Sequence, residues 1–325
     1  MAQNNNTNIK NAFLPSGFRL PRYIIEKMNS YGGFGVIYIA KHEDGRTVAL
    51  KEFLPSMLNC REKIIKTKEG NLEAPVVLKD PESIKKFNKG LDAFFKEADT
   101  VARIRDDRVV AILDVFEANG TAYFAMPLEQ GETLNKLIKR NRFGVSEKRI
   151  QQIFIDAASG IEVLHNHGIL HLDIKPGNLW VRPDGSVLVL DLGASREKEN
   201  YQLLGPAART AGYAAPEQHT SIKKAKLSVQ TDVYGLAASM YSCLEGKAPP
   251  EAPLRKETDL DYSILRAGQY SSGLLELIDD GLRLKQEDRI QTAAQFKDRL
   301  SRLSRLSDYN KEIVKVCNFL PPLKK

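Results

Sequence analysis

Apolar and polar positions alternate through the first third of the chain. Tyr23-Ile24-Ile25-Glu26-Lys27-Met28, Val36-Ile37-Tyr38-Ile39-Ala40 and Thr47-Val48-Ala49-Leu50-Lys51 read as three antiparallel strands, being short runs rich in β-branched and aromatic residues between turn residues. Ser30-Tyr31-Gly32-Gly33-Phe34-Gly35 joins the first two, and Asp44-Gly45, a hairpin signal, joins the next two. The period then lengthens. Ile84, Phe87, Leu91, Phe94, Phe95, Ala98, Val101 and Ala102 fall on one helical face. Asp80-Pro81 supplies the start of that helix, because proline is tolerated at the first helical position. Residues 55–80 ahead of it read as an inserted hairpin or loop. Two further strands, Val109 to Phe116 and Thr121 to Met126, turn at Asn119-Gly120.

Past residue 127 the helical period dominates. Ile150, Ile153, Phe154, Ala157, Ala158, Ile161 and Leu164 form a continuous stripe, with Ser146 as N-cap and Gly168 as the stop. Leu179-Trp180-Val181 and Val187-Leu188-Val189-Leu190 form a short hairpin around Pro183-Asp184-Gly185. Residues 194–214 have no clear period. The helix opened by Thr231-Asp232-Val233-Tyr234-Gly235-Leu236 and running through Leu244 is apolar on most sides and therefore buried. A last helix spans about Thr292 to Leu303. Residues 1–17, rich in Asn, read as a flexible tail, and residues 306–325 as a basic, proline-containing one.

Composition adds bounds. With 325 residues, 42% of them hydrophobic and 27% charged, the chain has ordinary globular usage. No apolar run reaches the ~18 residues of a membrane span, and Met1-Ala2-Gln3-Asn4-Asn5-Asn6 lacks an apolar signal core. Cys60, Cys243 and Cys317 are odd in number and far apart, which points to a reducing compartment, the cytoplasm, and to no metal cluster. The net charge of +7 is spread along the chain, so no nucleic-acid partner is expected.

The chemistry concentrates in His171-Leu172-Asp173-Ile174-Lys175-Pro176-Gly177-Asn178, a loop between the long striped helix and the short hairpin. It offers a carboxylate, an ammonium and a carboxamide. Together these can accept a proton from a hydroxyl, neutralise a phosphate and hold a divalent metal. A second acid follows in Asp191-Leu192-Gly193.

This ordered set resembles the protein kinases: HLDIKPGN is similar to the catalytic loop HRDxKxxN, and DLG to the metal-binding DFG. The turn at 30–35 resembles the Gly-rich loop over the ATP phosphates, with Ser30 at the first glycine, Gly32 and Gly35 matching, Gly33 and Phe34 between them, and Ile37 for the valine. Val48-Ala49-Leu50-Lys51 resembles the VAIK strand, Ala215-Pro216-Glu217 the APE motif. Lys51-Glu52-Phe53-Leu54-Pro55 and the spacer after it resemble bacterial eukaryotic-like (Hanks-type) serine/threonine kinases.

The resemblance implies an α+β, bilobal kinase fold. A small antiparallel sheet with one long helix forms an N-lobe at 18–126, and a larger, mainly helical C-lobe covers 127–305. It implies Asp173 as base, Lys175 at the γ-phosphate, and Lys51 at the inner phosphates with Glu97 as its partner. Asn178 and Asp191 would hold Mg²⁺ or Mn²⁺. ATP would meet Ala49, Met126 as gatekeeper, Leu128 in the segment after it, Glu132 at the ribose and Trp180 beneath the adenine, besides the Gly-rich turn. Asp232 would anchor the catalytic loop, Arg289 would pair with Glu217, and Ser195 and Thr210 would lie in the activation segment. Lys175 and Thr210 favour serine or threonine of protein substrates over tyrosine.

Kinases switched by an activation-loop phosphate carry arginine at the place of Leu172, which cannot bind phosphate. The expectation is a kinase without that switch, always active or controlled by a regulatory partner. Two rival readings follow from the same residues. Ser30, Pro127, Trp180 and Leu172 depart from the pattern, as they would in a pseudokinase scaffold. A small-molecule phosphotransferase shares a catalytic aspartate but generally lacks the Glu217 and Arg289 equivalents.

Overall fold

The computed structural model describes residues 13–33, 35–55, 61, 64–68, 70, 72–141, 145–192, 196–197, 210–219, 226–255, 269–303 and 305. Phe34 and Ser195 lie outside them. The chain divides into two compact units, Met1–Arg105 with Val110–Glu129, and Asp106–Val109 with Gln130–Lys325.

The first unit is built on five strands, β1 (Tyr23–Tyr31), β2 (Gly35–His42), β3 (Thr47–Phe53), β6 (Asp114–Ala118) and β7 (Thr121–Pro127), in the antiparallel order β1-β2-β3-β7-β6. Asn119 and Gly120, both at positive φ, make the β6–β7 turn, as a tight hairpin requires. The alternation of β3 splits its residues between faces. Lys51 and Ala49 point one way, Leu50 and Glu52 the other.

Helix α1 (Pro81–Ala102) covers the Lys51 face. Asp80 caps it by accepting from Ser83 N at 2.8 Å, and Pro81 occupies its first turn. Phe94 of α1 stacks on Phe124 with ring centroids 4.8 Å apart, and Gly90 leaves room for the Phe53 ring, which a Cβ would meet at 2.5 Å. Ile84 and Ala102, at the two ends of the apolar stripe, are exposed.

The opposite face of the sheet is covered as well. Leu14 and Phe18 are buried there, Leu14 N donates to the Tyr38 hydroxyl, and Gly17 N donates to Ile25 O. Residues 13–17 thus belong to the packed unit rather than to a flexible tail. The insertion forms a small hairpin, β4 (Ile65–Lys66) and β5 (Leu72–Glu73), and its later part is tied down where Val76 N donates to Asn119 O at 2.9 Å. Arg61 lies buried against Glu52.

The sequence pattern placed the start of the β6 strand too early. Val109 and Val110 are buried, but Val109 N closes a turn onto Asp106 O and the ladder begins at Asp114. Val109 makes one isolated parallel bridge, to Val189 of β11, and does not join the β6–β7 ladder.

The second unit is mainly helical. It has α2 (Leu134–Arg140), α3 (Glu147–Asn166), α4 (Pro216–His219), α5 (Val229–Glu245), α6 (Ser272–Gly281) and α7, over residues 293–303. The stripe of α3 is buried throughout, from Ile150 to Leu164. Gly160 lets it approach strand β11 (Val187–Val189): a Cβ would lie 2.9 Å from Val189 Cγ2. Ser146 stands at the N-cap without a capping hydrogen bond. Strands β8 (Glu132–Thr133), β10 (Leu179–Val181) and β11 form a small sheet in the order β11-β10-β8. Strand β9 (Ile169–Leu170) pairs with β12 (Arg196–Glu197). The α5 helix begins at Val229, two residues before the Thr231 expected. Ser228 and Thr231 form a capping box there, and Gly246 ends it in the left-handed region.

Candidate active site

In the first unit the sheet register collects the residues of one face. Ser30 pairs with Ile37, Ile37 with Lys51, Lys51 with Phe124, and Ala49 with Met126. Lys51 Nζ lies 3.1 Å from Glu97 Oε1 of α1, with both side chains largely buried, and 5.1 Å from the centre of the Phe124 ring. A buried carboxylate and an aromatic face both favour the charged ammonium.

The glycines of the turn before β2 differ in what they serve. A Cβ on Gly35 would fall 2.1 Å from Glu52 O, so that glycine is required by the sheet itself. Gly32 and Gly33 have open space around them. Leu128 is exposed beyond β7.

In the second unit the loop 171–178 is suspended from α5. Asp232 is buried and accepts from His171 N at 2.9 Å, from Leu172 N at 2.7 Å, and lies 2.8 Å from His165 Nε2. Gly235, one turn on, lets the helix touch the loop: a Cβ would meet Ile174 Cβ at 2.8 Å. Leu172 takes φ 63, the left-handed region a leucine rarely enters. The carboxylate of Asp173 is held from several sides. Lys175 Nζ donates to Oδ2 at 2.7 Å, Asn178 Nδ2 donates to the same oxygen at 3.1 Å and to the Asp173 carbonyl at 2.8 Å, and the Thr210 hydroxyl donates to Oδ1 at 2.9 Å. Lys175 Nζ also donates to Thr210 Oγ1, at 3.1 Å. Asp191, exposed and at φ 57, follows the hairpin.

Glu217 and Arg289 form a buried pair, with Nη1–Oε1 at 2.9 Å, and Thr231 Oγ1 donates to the same carboxylate oxygen at 2.8 Å. Burial pushes the Glu217 carboxyl up, but the hydrogen bonds and charge of Arg289 outweigh it and hold the group below the ordinary glutamate range.

Two candidate residues have partners of their own within the second unit. Glu132 pairs with Arg140 at 2.7 Å, so its carboxylate already has a cation. The Trp180 indole donates to Gln130 O at 3.0 Å, and Gly131, at φ 133, passes so close that a Cβ would lie 2.8 Å from Nε1. Tyr213, also in the segment before Glu217, places its hydroxyl 2.9 Å from Ser242 Oγ and is pushed up by burial.

Two participants escaped the sequence reading. His165 sits at the end of the α3 stripe, six residues before His171, and that spacing was its only signal. Gln218 follows Glu217 directly; an amide offering a donor and an acceptor beside a catalytic motif was the available clue.

Comparison with known proteins gives the family. Residues 62–300 match the family described as the protein kinase domain. The chain belongs to that family, and its relatives place it with the bacterial Hanks-type serine/threonine members. Serine/threonine-protein kinase PknA of Mycobacterium tuberculosis is 28% identical over 236 residues, which is 70% of this chain and 48% of PknA. Serine/threonine-protein kinase PknH of Mycobacterium bovis is 28% identical over 232 residues, 70% of this chain and 33% of PknH. The chain thus spans about half the length of PknA and a third of PknH. A solved structure described as PpkA-294 apo form superposes with a TM-score of 0.73 at 30% identity, covering 89% of this chain and 99% of that one.

Proposed function

We propose that the chain transfers the γ-phosphate of ATP to serine or threonine hydroxyls of protein substrates, and does so without a phosphate switch beside the catalytic loop. The observation that carries this reading is the docking of the Thr210 hydroxyl, 2.9 Å from Asp173 Oδ1 and 3.1 Å from Lys175 Nζ. A substrate hydroxyl has the same needs: a carboxylate to orient it and take its proton, and a cation beside the oxygen where phosphate charge develops.

Asp173 is the base and Lys175 the neutralising cation in this reading. Lys51, aligned by Glu97, serves the inner phosphates of ATP, and Ala49 and Met126 offer apolar surface to its base. Asn178 and Asp191 fit a hard divalent cation: the Asn178 nitrogen is spent on Asp173, leaving its oxygen as the ligand atom, and Asp191 adds a carboxylate. Mg²⁺ bound there would neutralise phosphate charge; such ions are held by one or two protein oxygens with phosphates and water completing the shell. The absence of the switch is supported by Leu172, which is buried and uncharged.

Among the described residues no helix is long and apolar enough to cross a membrane, and Cys243 is a buried free thiol. Both suit a kinase domain acting in the reducing cytoplasm.

The test is transfer of label from γ-labelled ATP with Mg²⁺ or Mn²⁺ to a generic protein acceptor, wild type against Asp173→Asn. Label on serine and threonine in wild type alone supports the reading. Absence of label from both, with a melting temperature raised by Mg²⁺-ATP, would instead make the chain a nucleotide-binding pseudokinase.

A further inference from the structure

We infer that Gln218 is a positioning residue for Asp173, holding the catalytic loop by permanent hydrogen bonds where other kinases use an arginine and an activation-segment phosphate. The inference deepens the reading of Asp173 as the base and rests on it.

Leu172 sits immediately before Asp173 at φ 63, a strained conformation for a branched side chain. Its backbone is held at both ends by side chains. The N–H donates to Asp232 Oδ1 at 2.7 Å, and the C=O accepts from Gln218 Nε2 at 2.8 Å. The other end of the same amide, Oε1, accepts from Ala215 N at 2.9 Å. One side chain therefore links the end of the activation segment to the residue before the base.

The connection closes on itself. Glu217, next to Gln218, accepts from Thr231, and Thr231 is next to Asp232. Leu172, Gln218, Glu217, Thr231 and Asp232 form a ring of hydrogen bonds and peptide links, and Arg289 braces it from outside through Glu217. No phosphate takes part. Only an uncharged group with a donor and an acceptor at its tip satisfies both Leu172 O and Ala215 N. Alanine satisfies neither, and a carboxylate would oppose the Leu172 carbonyl with Asp232 close by. Without Gln218, Leu172 can relax out of the left-handed region, which turns the Asp173 carboxylate away from its hydroxyl.

The test uses Gln218→Ala, Gln218→Met and Gln218→Glu in the full chain. The expected result is a fall in kcat of about tenfold to a hundredfold in the first two, the scale of an ångström-sized misplacement. KM for ATP should stay within about twofold, because none of the ring residues is among those assigned to ATP or its metal. Gln218→Glu should regain kcat as pH falls, since a protonated carboxyl donates and accepts as the amide does, while alanine and methionine show no such recovery. Amide exchange of peptide 170–178 should rise in Gln218→Ala, with α5 unchanged. Unaltered kcat, a parallel loss in KM and melting temperature, or a wild-type pH profile for Gln218→Glu would each overturn the inference. Should Asp173→Asn transfer phosphate as well as wild type, or wild type not at all, the kinase reading fails, and the exchange measurement alone then decides whether Gln218 holds the loop.

Discussion

Arg61 donates to both carboxylate oxygens of Glu52, at 2.8 and 3.1 Å, with neither side chain exposed to solvent, one residue along β3 from Lys51. The Tyr38 and Tyr123 hydroxyls donate to the same carboxylate, and Arg61 Nε donates to Ala74 O. Every strong polar group in this patch has a partner, so a carboxylate survives buried under the sheet. Removing one partner leaves the other charged and buried. Glu52→Gln or Arg61→Met alone is expected to cost about 3–5 kcal/mol, whereas Glu52→Leu with Arg61→Met, together with Tyr38→Phe and Tyr123→Phe to remove the donors left over, recovers part of it. Urea midpoints of the three variants check this.

The Gly-rich turn yields a prediction that separates folding from nucleotide binding. Gly35→Ala forces a methyl into Glu52 O and is expected to lower the melting temperature by several degrees, the shift that about 1–3 kcal/mol of overpacking produces. Gly33→Ala meets nothing and is expected to leave melting unchanged. Any effect of Gly33→Ala should appear in KM for ATP alone, measured by initial rates against ATP concentration.

Lys51 and Glu97 form one unit, so their losses should not add. Lys51→Met is expected to reduce transfer on the order of 10²–10³-fold, the scale for loss of one preorganised charge. Glu97→Gln is expected to do less, because the ammonium remains. The double variant should be no worse than Lys51→Met, and kcat/KM of all three tests the coupling.

Acid should find the Glu217–Arg289 pair. The folded-state carboxyl of Glu217 lies below its unfolded value. Its contribution to stability is therefore present above the unfolded glutamate range and is lost as pH falls through the lower, folded value. Glu217→Gln is expected to be less stable at neutral pH and to show a flatter decline of melting temperature below about pH 4.5. Thermal melts from pH 7 to pH 3 measure both.

The architecture was legible because periodicity and punctuation agreed. Asp80-Pro81 marked the start of α1, Asn119-Gly120 the β6–β7 turn, and the Ile150–Leu164 stripe the buried helix under the catalytic loop. The functional groups of the site were legible for another reason: carboxylate, ammonium and amide recur in a fixed order in a resembled family. What holds those groups was not. Arg61 reaches Glu52 from a loop with no period, and Gln218 lies in a four-residue helix too short to show a pattern. The Glu132–Arg140 pair depends on how α2 turns back on β8, which sequence spacing does not encode. Val109 and Val110 read as part of the β6 strand because buried apolar side chains leave the same signature whether or not they join its ladder; Val109 bridges instead to Val189.

Trp180, two residues along the chain from Asn178, is the single tryptophan of the chain, and its indole N–H is committed to Gln130 O. The chain therefore carries one indole, in one defined hydrogen bond, which excitation at the red edge selects over the tyrosines. Its emission wavelength and quenching by iodide report on that spot alone, with no dye and no background from a second indole. If Trp180 lies at the nucleotide, as the family resemblance implies, titrating Mg²⁺-ATP while watching this one signal is expected to give an optical change that can be timed in a stopped-flow instrument, independently of whether phosphate is ever transferred.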